Sequence, residues 1–389
     1  MSGVFGAVFA LFITVAVAFG ADRLLVATWN VENLFDTSGA QDEMFTPTSW
    51  RRWTDERYSE KLDRLAWVID KMKPDILFVQ EIGSRGVLDD LNARIKKNHK
   101  WDFAAIGHIP TTDPRIDTAI LSRYPMVSTN LVASFGRRGT LVAGIKIDDE
   151  VIWCLGNHWK SKIGDEKVNI VARTQEAMLA REEAMKILRK NPNATVIIGG
   201  DFNEDCHEPS VTTGLGAVTN RAQVVKSLGG AVDIGPREIN ITSTTTLTDT
   251  TTAAGKTRVA KTSEKTVVND SGEGLLFYNL LGDVSAKNKA EVPGSYYYAR
   301  RKVWNTIDTI IVQPRMLIPA TANVPGPTWR VQAQESHRTM TFALPQMRTG
   351  DEGRPMSYSR QRITGKPDNY YEDGYSDHFP VIVELIKKK

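Results

Sequence analysis

From Arg23 onward, short runs of Val, Ile, Leu and Thr alternate with longer stretches whose apolar residues recur every three or four positions. The runs LLVATWN, DILFVQE, TAILSR, LVAGIKI, VIWCLGNH, TVIIGGD, TIDTIIVQ and FPVIVEL are short and rich in β-formers, so they predict strands. Residues 55–73 instead place Leu62, Leu65, Ile69 and Met72 on one helical face, with Pro74 as the stop. Residues 169–190 repeat that pattern with Val171, Met178, Met185 and Leu188 before Pro192. Strands interleaved with helices predict a layered α/β or α+β domain. No repeat of solenoid length interrupts the pattern.

Two stretches depart from it. Residues 238–273 are dominated by Thr, Ser and Lys and predict an exposed excursion or an extended hairpin. Residues 314–373 are loop-rich, with many Pro, Gly, Arg and Tyr. Strand-like sequence resumes after each, so residues 22–389 are expected to form a single domain with two long loops. Residues 1–21 carry no charge and end in small residues, the pattern of a secretory signal peptide cleaved after Ala18, Gly20 or Ala21. They lack a basic n-region, and an uncleaved anchor is the alternative, since a span takes about 20 residues. The expected location is therefore secreted or periplasmic, with membrane anchoring second.

Composition narrows the class without naming a partner. Hydrophobic content of 41% and charged content of 24% belong to a folded chain. A net charge of +3 suits an acidic partner but does not demand one. The basic pairs Arg51–Arg52 and Arg137–Arg138, and the run Arg300 to Lys302, are expected to be solvated surface. Two cysteines cannot make a disulfide framework. Whether Cys154 and Cys206 pair depends on their Cα separation.

The candidate chemistry sits at the strand ends. The predicted strands deliver Asn30, Glu81, Asn157, His158, Asp201, Asn203, Asp308, Asp377 and His378 at or near their tips. Each alone reads as a turn or a solvated residue, except that a carboxylate inside a strand, Asp308, is expensive unless paired. Together, carboxylates, amides and two histidines suit a hard divalent cation beside a hydrolytic centre. Thiolates are nearly absent and HExxH spacing is missing, which argues against zinc. No P-loop, dinucleotide fingerprint or GxSxG elbow is present.

In the same order along the chain, TWNVENL, VQE, GNHWKSK, GGDFN, WNTIDTIIV and SDHFP resemble the motifs of the endonuclease/exonuclease/phosphatase superfamily, to which deoxyribonuclease I belongs. The resemblance runs from about residue 24 to residue 386, and ATWNVENLFD with the YYY block before DTIIV is most similar to its exported bacterial branch. It implies a four-layered α/β sandwich, with two central mixed or antiparallel sheets flanked by helices. It implies divalent-metal-dependent hydrolysis of a phosphoester, with Mg²⁺ as the ion and Mn²⁺ or Ca²⁺ as alternates.

Carried over by motif, Asn30, Glu81 and Asp377 belong to the metal site, and Glu32 stands where some members have a further acidic ligand. Asp201 and Asn203 align water and phosphate, and His158 contacts a phosphate oxygen or protonates the leaving oxygen. His378 pairs with Asp308. Either Asp201 or His378 could be the general base. Glu204 lies beyond the motif. The expected function is an exported nuclease acting as a monomer on DNA, with RNA second and no stable protein partner. The alternatives are a phospholipid or phosphoinositide phosphoesterase, then a non-catalytic binding protein. Tyr296 to Tyr298, Arg300 to Lys302, Arg360 and Arg362 read equally well as base-stacking and phosphate-binding groups or as a strand packed on the core.

Overall fold

The computed structural model describes residues 22–40, 42–49, 52–111, 116–134, 137–220, 224, 237–247, 258–268, 277–280, 292–317, 326–331, 340–349, 353–358, 360–361, 370–371 and 374–388. Residues 1–21, read above as a signal or anchor, lie outside them, as do Arg51 and Arg362. Chain order begins β1 (Arg23–Leu34), α1 (Asp55–Met72), β2 (Ile76–Ile82), α2 (Arg85–His99), β3 (Ala105–His108) and β4 (Asp117–Ser122). It continues with β5 (Met126–Ser134), β6 (Arg137–Ile147), β7 (Glu150–His158), α3 (Glu166–Lys190), β8 (Thr195–Asp201) and β9 (Ala217–Val218). Next come β10 (Arg237–Leu247), β11 (Arg258–Val268), β12 (Phe277–Asn279), β13 (Tyr296–Tyr298), β14 (Val303–Asn305) and β15 (Asp308–Val312). The last strands are β16 (Trp329–Val331), β17 (Met340–Thr341), β18 (Arg348–Thr349), β19 (Arg354–Pro355), β20 (Arg360–Gln361), β21 (Tyr370–Tyr371) and β22 (Val381–Lys387).

Two seven-stranded sheets carry the fold. The first has the order β16-β22-β1-β2-β4-β3, with β17 also on β22. The second runs β5-β6-β7-β8-β15-β12-β9. Both mix parallel and antiparallel pairs: β1 is parallel to β2 and antiparallel to β22, and β7 is parallel to β8. Strands β10 and β11, in the Thr-rich excursion, form a two-stranded antiparallel sheet.

The two-residue side-chain period of a strand explains the layering. In β1, Leu24 and Val26 enter the cluster between the sheets, while Ala27, Trp29 and Val31 pack beneath α1 and α2. In β8, Ile197 faces the other sheet and Val196 and Ile198 face α3. The layers are therefore α1 and α2, sheet, sheet, α3: the α/β sandwich that the resemblance implies.

Helix α1 forms where its periodicity predicts. Thr54 caps its first turn by accepting from the Arg57 amide, and Lys73 ends it in the left-handed region just before Pro74. Helix α3 also forms, but on a different face. Val171 and Met178 are only half-buried, and the covered stripe is Ala172, Arg173, Glu176, Ala177, Ala180, Arg181, Ala184, Met185 and Leu188. Alanines let the helix approach the sheet closely, and the buried ions are met from outside it, Arg173 by Glu204, Glu176 by the Lys160 amide and Arg181 by the Leu215 carbonyl, so large apolar residues do not mark this face. Strands β3 and β5 and helix α2 escape the sequence pattern. Both strands lie at sheet edges, β3 with only four residues and β5 with Val127 to Asn130 exposed, so neither carries an apolar run, and α2 buries only Val87, Leu88, Leu91 and Ile95.

Both cysteines are buried free thiols. Cys154 belongs to the inter-sheet cluster, whereas Cys206 Sγ lies 3.3 Å from His207 Nδ1 beyond the end of β8. Burial pushes both thiols up from their ordinary range. Among the described residues, no helix is long and apolar enough to cross a membrane.

Candidate active site

The site is the polar end of the inter-sheet layer. Along β1 the inward positions pass from Leu24 and Val26 to Thr28 and Asn30; along β2 they pass from Ile76 and Phe78 to Gln80. On the facing sheet, Cys154 is followed by Gly156 and His158, and Ile197 by Gly199 and Asp201. Register then aligns the tips: Asn30 stands beside Gln80, His158 beside Asp201, and Asp201 beside Asp308.

Glycines set how closely the sheets meet here. A Cβ on Gly199 would lie 2.7 Å from the Phe78 ring. Gly200, at φ +152°, would place one 2.0 Å from the Asn157 carbonyl oxygen. The two glycines before Asp201 thus serve a close inter-sheet contact and an unusual backbone angle respectively.

Four non-glycine residues at this edge have positive φ: Glu32 at 54°, Asn33 at 53°, Glu81 at 65° and Asn203 at 52°. The pairing of β1 with β2 is broken between Asn30 and Leu34, and that of β2 with β4 between Gln80 and Ile82. Such bulges re-aim side chains at strand ends. The Glu81 carboxylate is turned so that Oε2 accepts the Asn33 amide at 2.8 Å and Oε1 accepts Asn30 Nδ2 at 3.1 Å.

Asn30 is the bridge of the site. Its Nδ2 also donates to Asp201 Oδ2 at 3.0 Å, and its Oδ1 accepts the Glu32 amide at 3.0 Å. It therefore orients the acids of both sheets. Asp201 Oδ1 accepts the Asn203 amide at 2.8 Å, and Asn203 Nδ2 donates to the Trp159 carbonyl at 3.1 Å. Asp308 Oδ2 lies 2.7 Å from His378 Nδ1. The other face of His378 meets the Tyr296 ring at 4.7 Å between centroids. Asp377 Oδ1 stands 3.8 Å from His378 Nε2 and keeps 37% of its side chain exposed.

Electrostatics divides the histidines. Burial opposes charge on His378, but Asp308 and Asp377 outweigh it and hold the imidazole well above its ordinary range. Burial, then Arg138 and His378, hold His158 well below, so it is neutral. Burial and the adjacent Asp308 push Asp201 up to about 7. Burial, Glu32 and Glu81 push Asp377 up to about 8.

The predicted residues therefore fall into two linked groups. Asp201, Asp308 and His378 offer ligand atoms all within 4.8 Å of one another. Glu81 and Asp377 form the second group with Glu32, joined to the first through Asn30. His158 Nε2 is 3.7 Å from Asp201 Oδ2, beyond hydrogen-bond range. The donors suit a divalent cation: the oxygens are hard, their charges repel, and Asp308 Oδ1 is buried with no hydrogen-bond partner.

Some functional neighbours were not evident from the sequence. Arg138, expected at the surface, is buried and donates to the carbonyls of His158 and Trp159 at 3.3 and 3.1 Å. Its register two residues before Thr140 on β6 was the available signal. Glu204 is ion-paired with buried Arg173, whose Nη1 also donates to the Lys160 carbonyl at 3.1 Å, and Glu176 accepts the Lys160 amide at 2.8 Å. Asn157, within both β7 and the GNHWKSK motif, is turned to its neighbours: its Oδ1 accepts from Thr140 and Trp159. Of the tyrosine block, Tyr297 is buried against Trp304 while Arg300, Arg301 and Lys302 lie exposed on the β13–β14 turn. The strand-packing reading thus holds for Tyr297, whereas Tyr296 lies against the His378 ring.

The chain is similar in structure to truncated TDP2 from Caenorhabditis elegans, at 12% identity and a TM-score of 0.45, covering 94% of this chain and 97% of that one. It is similar to an endonuclease/exonuclease/phosphatase family protein from Bacteroides thetaiotaomicron, at 16% identity and 0.46, covering 94% and 98%. A mannosyl-6-phosphatase from the same organism aligns at 17% identity and 0.45, covering 93% and 99%. No curated protein matches the chain in sequence. The family model for the endonuclease/exonuclease/phosphatase family matches residues 25–234, more than half of the chain. With the matched motifs converging at one sheet edge, the chain belongs to the endonuclease/exonuclease/phosphatase family, whose enzymes are divalent-metal-dependent phosphoesterases.

Proposed function

We propose that the protein is an exported, Mg²⁺-dependent phosphodiesterase that cleaves DNA with water as nucleophile, acting as a monomer. The observation that carries the reaction is the junction of Asp201, Asp308 and His378 within 4.8 Å, tied through Asn30 to Glu81. A cation held by Glu81 and Asp377 would supply positive charge to the phosphoryl oxygens. Asp201, near 7, is suited to accept a proton from water at neutral pH. His378, kept charged by Asp308, is suited to stabilise the developing negative charge and to protonate the leaving oxygen. Neutral His158 and the Asn203 amide group would hold the phosphate.

DNA as substrate is supported by the exposed Arg300, Arg301 and Lys302 turn, which shares a hairpin with Tyr296 beside His378. Export is supported by the uncharged residues 1–21. Plasmid and linear DNA should be cut by the Mg²⁺-loaded protein and spared by its His378→Ala variant. Intact DNA across the whole pH range would sink the nuclease reading.

One observation favours a phospholipid substrate instead. Ile163 and Val168, just beyond the GNHWKSK motif, are 82% and 52% exposed beside Lys162 and Lys167. Hydrolysis of lipid vesicles with indifference to DNA would select that reading.

A further inference from the structure

Glu32 stands where a metal ligand is expected, yet its carboxylate is already committed. Oε1 accepts the Ser357 hydroxyl and Oε2 accepts the Tyr358 amide at 3.0 Å. Its own carbonyl accepts Lys61 Nζ, and its backbone sits at φ +54°. Glu81 also accepts one hydrogen bond on each oxygen, but from Asn30 and Asn33 at the adjacent end of β1, whereas the two partners of Glu32 come from a separate segment more than 300 residues away.

The segment so held is fastened on every side. Tyr358 is buried against Trp53, with ring centroids 5.8 Å apart, and its hydroxyl donates to the Arg57 carbonyl at 2.8 Å. Lys61 Nζ and the Arg64 guanidinium lie 5.3 and 5.8 Å from its ring. Met356 accepts the Tyr375 amide at 2.7 Å, two residues before Asp377. Arg354 lies 5.6 Å from the Tyr297 ring, and the neighbouring Tyr296 covers His378. The Gly374 position completes the contact: a Cβ there would lie 2.0 Å from the Ser357 carbonyl oxygen. Residues 354–358 thus bridge the end of β1, helix α1 and the Asp377–His378 loop.

We infer that Glu32 is a positioning residue and not a metal ligand: it latches residues 354–358, and that segment sets the place of Asp377 and His378. Its negative charge still reaches Asp377, but through space.

The test separates a latch from a ligand without requiring any substrate. Mn²⁺ binding would be measured by calorimetry on the full chain and on Glu32→Gln, Ser357→Ala and Glu81→Gln. Exchange of the Tyr358 amide proton would be followed in the first three, with and without Mn²⁺. A latch predicts that Glu32→Gln and Ser357→Ala weaken Mn²⁺ binding to the same degree, by about tenfold, because both act through the placing of Asp377, whereas Glu81→Gln weakens it more than about a hundredfold. It predicts that the Tyr358 amide exchanges about tenfold faster or more in both Glu32→Gln and Ser357→Ala. It also predicts that Mn²⁺ leaves Tyr358 protected in the parent. A loss of affinity in Glu32→Gln as large as in Glu81→Gln would overturn the inference. So would release of the Tyr358 amide when Mn²⁺ is added. Ser357→Ala keeps the assay decisive if Glu32→Gln fails to fold.

Discussion

His378 owes its charge to one neighbour above all. Asp308 is fully buried, touches Nδ1 at 2.7 Å, and has a second oxygen with no hydrogen-bond partner. Asp308→Asn keeps the shape and removes the charge. The His378 imidazole should then titrate at lower pH, as read by NMR, and phosphoester hydrolysis should fall about a hundredfold or more. An unmoved titration would show that Asp377 alone holds the proton. Gly199 offers a second test at this scale. Gly199→Ala forces a methyl to within 2.7 Å of Phe78, an overpacking expected to cost about 1–3 kcal/mol in urea unfolding. Stability equal to the parent would mean that the sheets can part without loss.

At the scale of elements, α3 does more than cover a sheet. Arg173 is fully buried and pairs with Glu204, which follows Asn203 by one residue, and Glu204 also accepts from Ser210. The same helix holds both backbone groups of Lys160, two residues beyond the end of β7. Replacing one partner leaves an uncompensated buried charge, so Arg173→Met alone should cost about 3–5 kcal/mol in urea unfolding. Arg173→Met with Glu204→Leu should cost less than Arg173→Met alone, because no charge is stranded. A double variant worse than the single would mean that packing, not charge, dominates there. The low apolar content of this face is also why its burial was misjudged from periodicity: Val171 and Met178 look like the stripe, but alanines and ions occupy it.

At the scale of the molecule, two sheets bring negative charge from separate parts of the chain to one edge. Asp201 near 7 and Asp377 near 8 bind protons in the folded, metal-free protein that they would release when unfolded. His378, held above its ordinary value, has the same sign. All three therefore bind more protons in the folded state above pH 6.5, and metal-free stability should fall as pH rises from about 6.5 to 8. A divalent cation displaces the carboxylate protons, so its affinity should rise over the same interval, and chelation should lower the melting temperature most at the alkaline end. Parallel pH profiles with and without chelator would contradict this account. His158, held below its ordinary value, contributes only below about pH 6.5.

The main strands and the chemical types at their tips were legible in the chain itself. Short runs of β-formers marked the strands, and the motifs around Asn30, Glu81, His158, Asp201, Asn203, Asp308, Asp377 and His378 named the acids, amides and imidazoles. Local periodicity determines which way a side chain points, and that depends only on neighbours in sequence. What those side chains touch depends on residues far along the chain. Only the tertiary structure turned the Arg138 side chain inward, paired Glu204 with Arg173, and bound Glu32 to Ser357 and Tyr358. It alone also kept Cys154 and Cys206 apart and made His378 the charged imidazole and His158 the neutral one. Each of these is a matter of burial and of a distant partner's charge, and neither quantity exists until the two sheets close on each other.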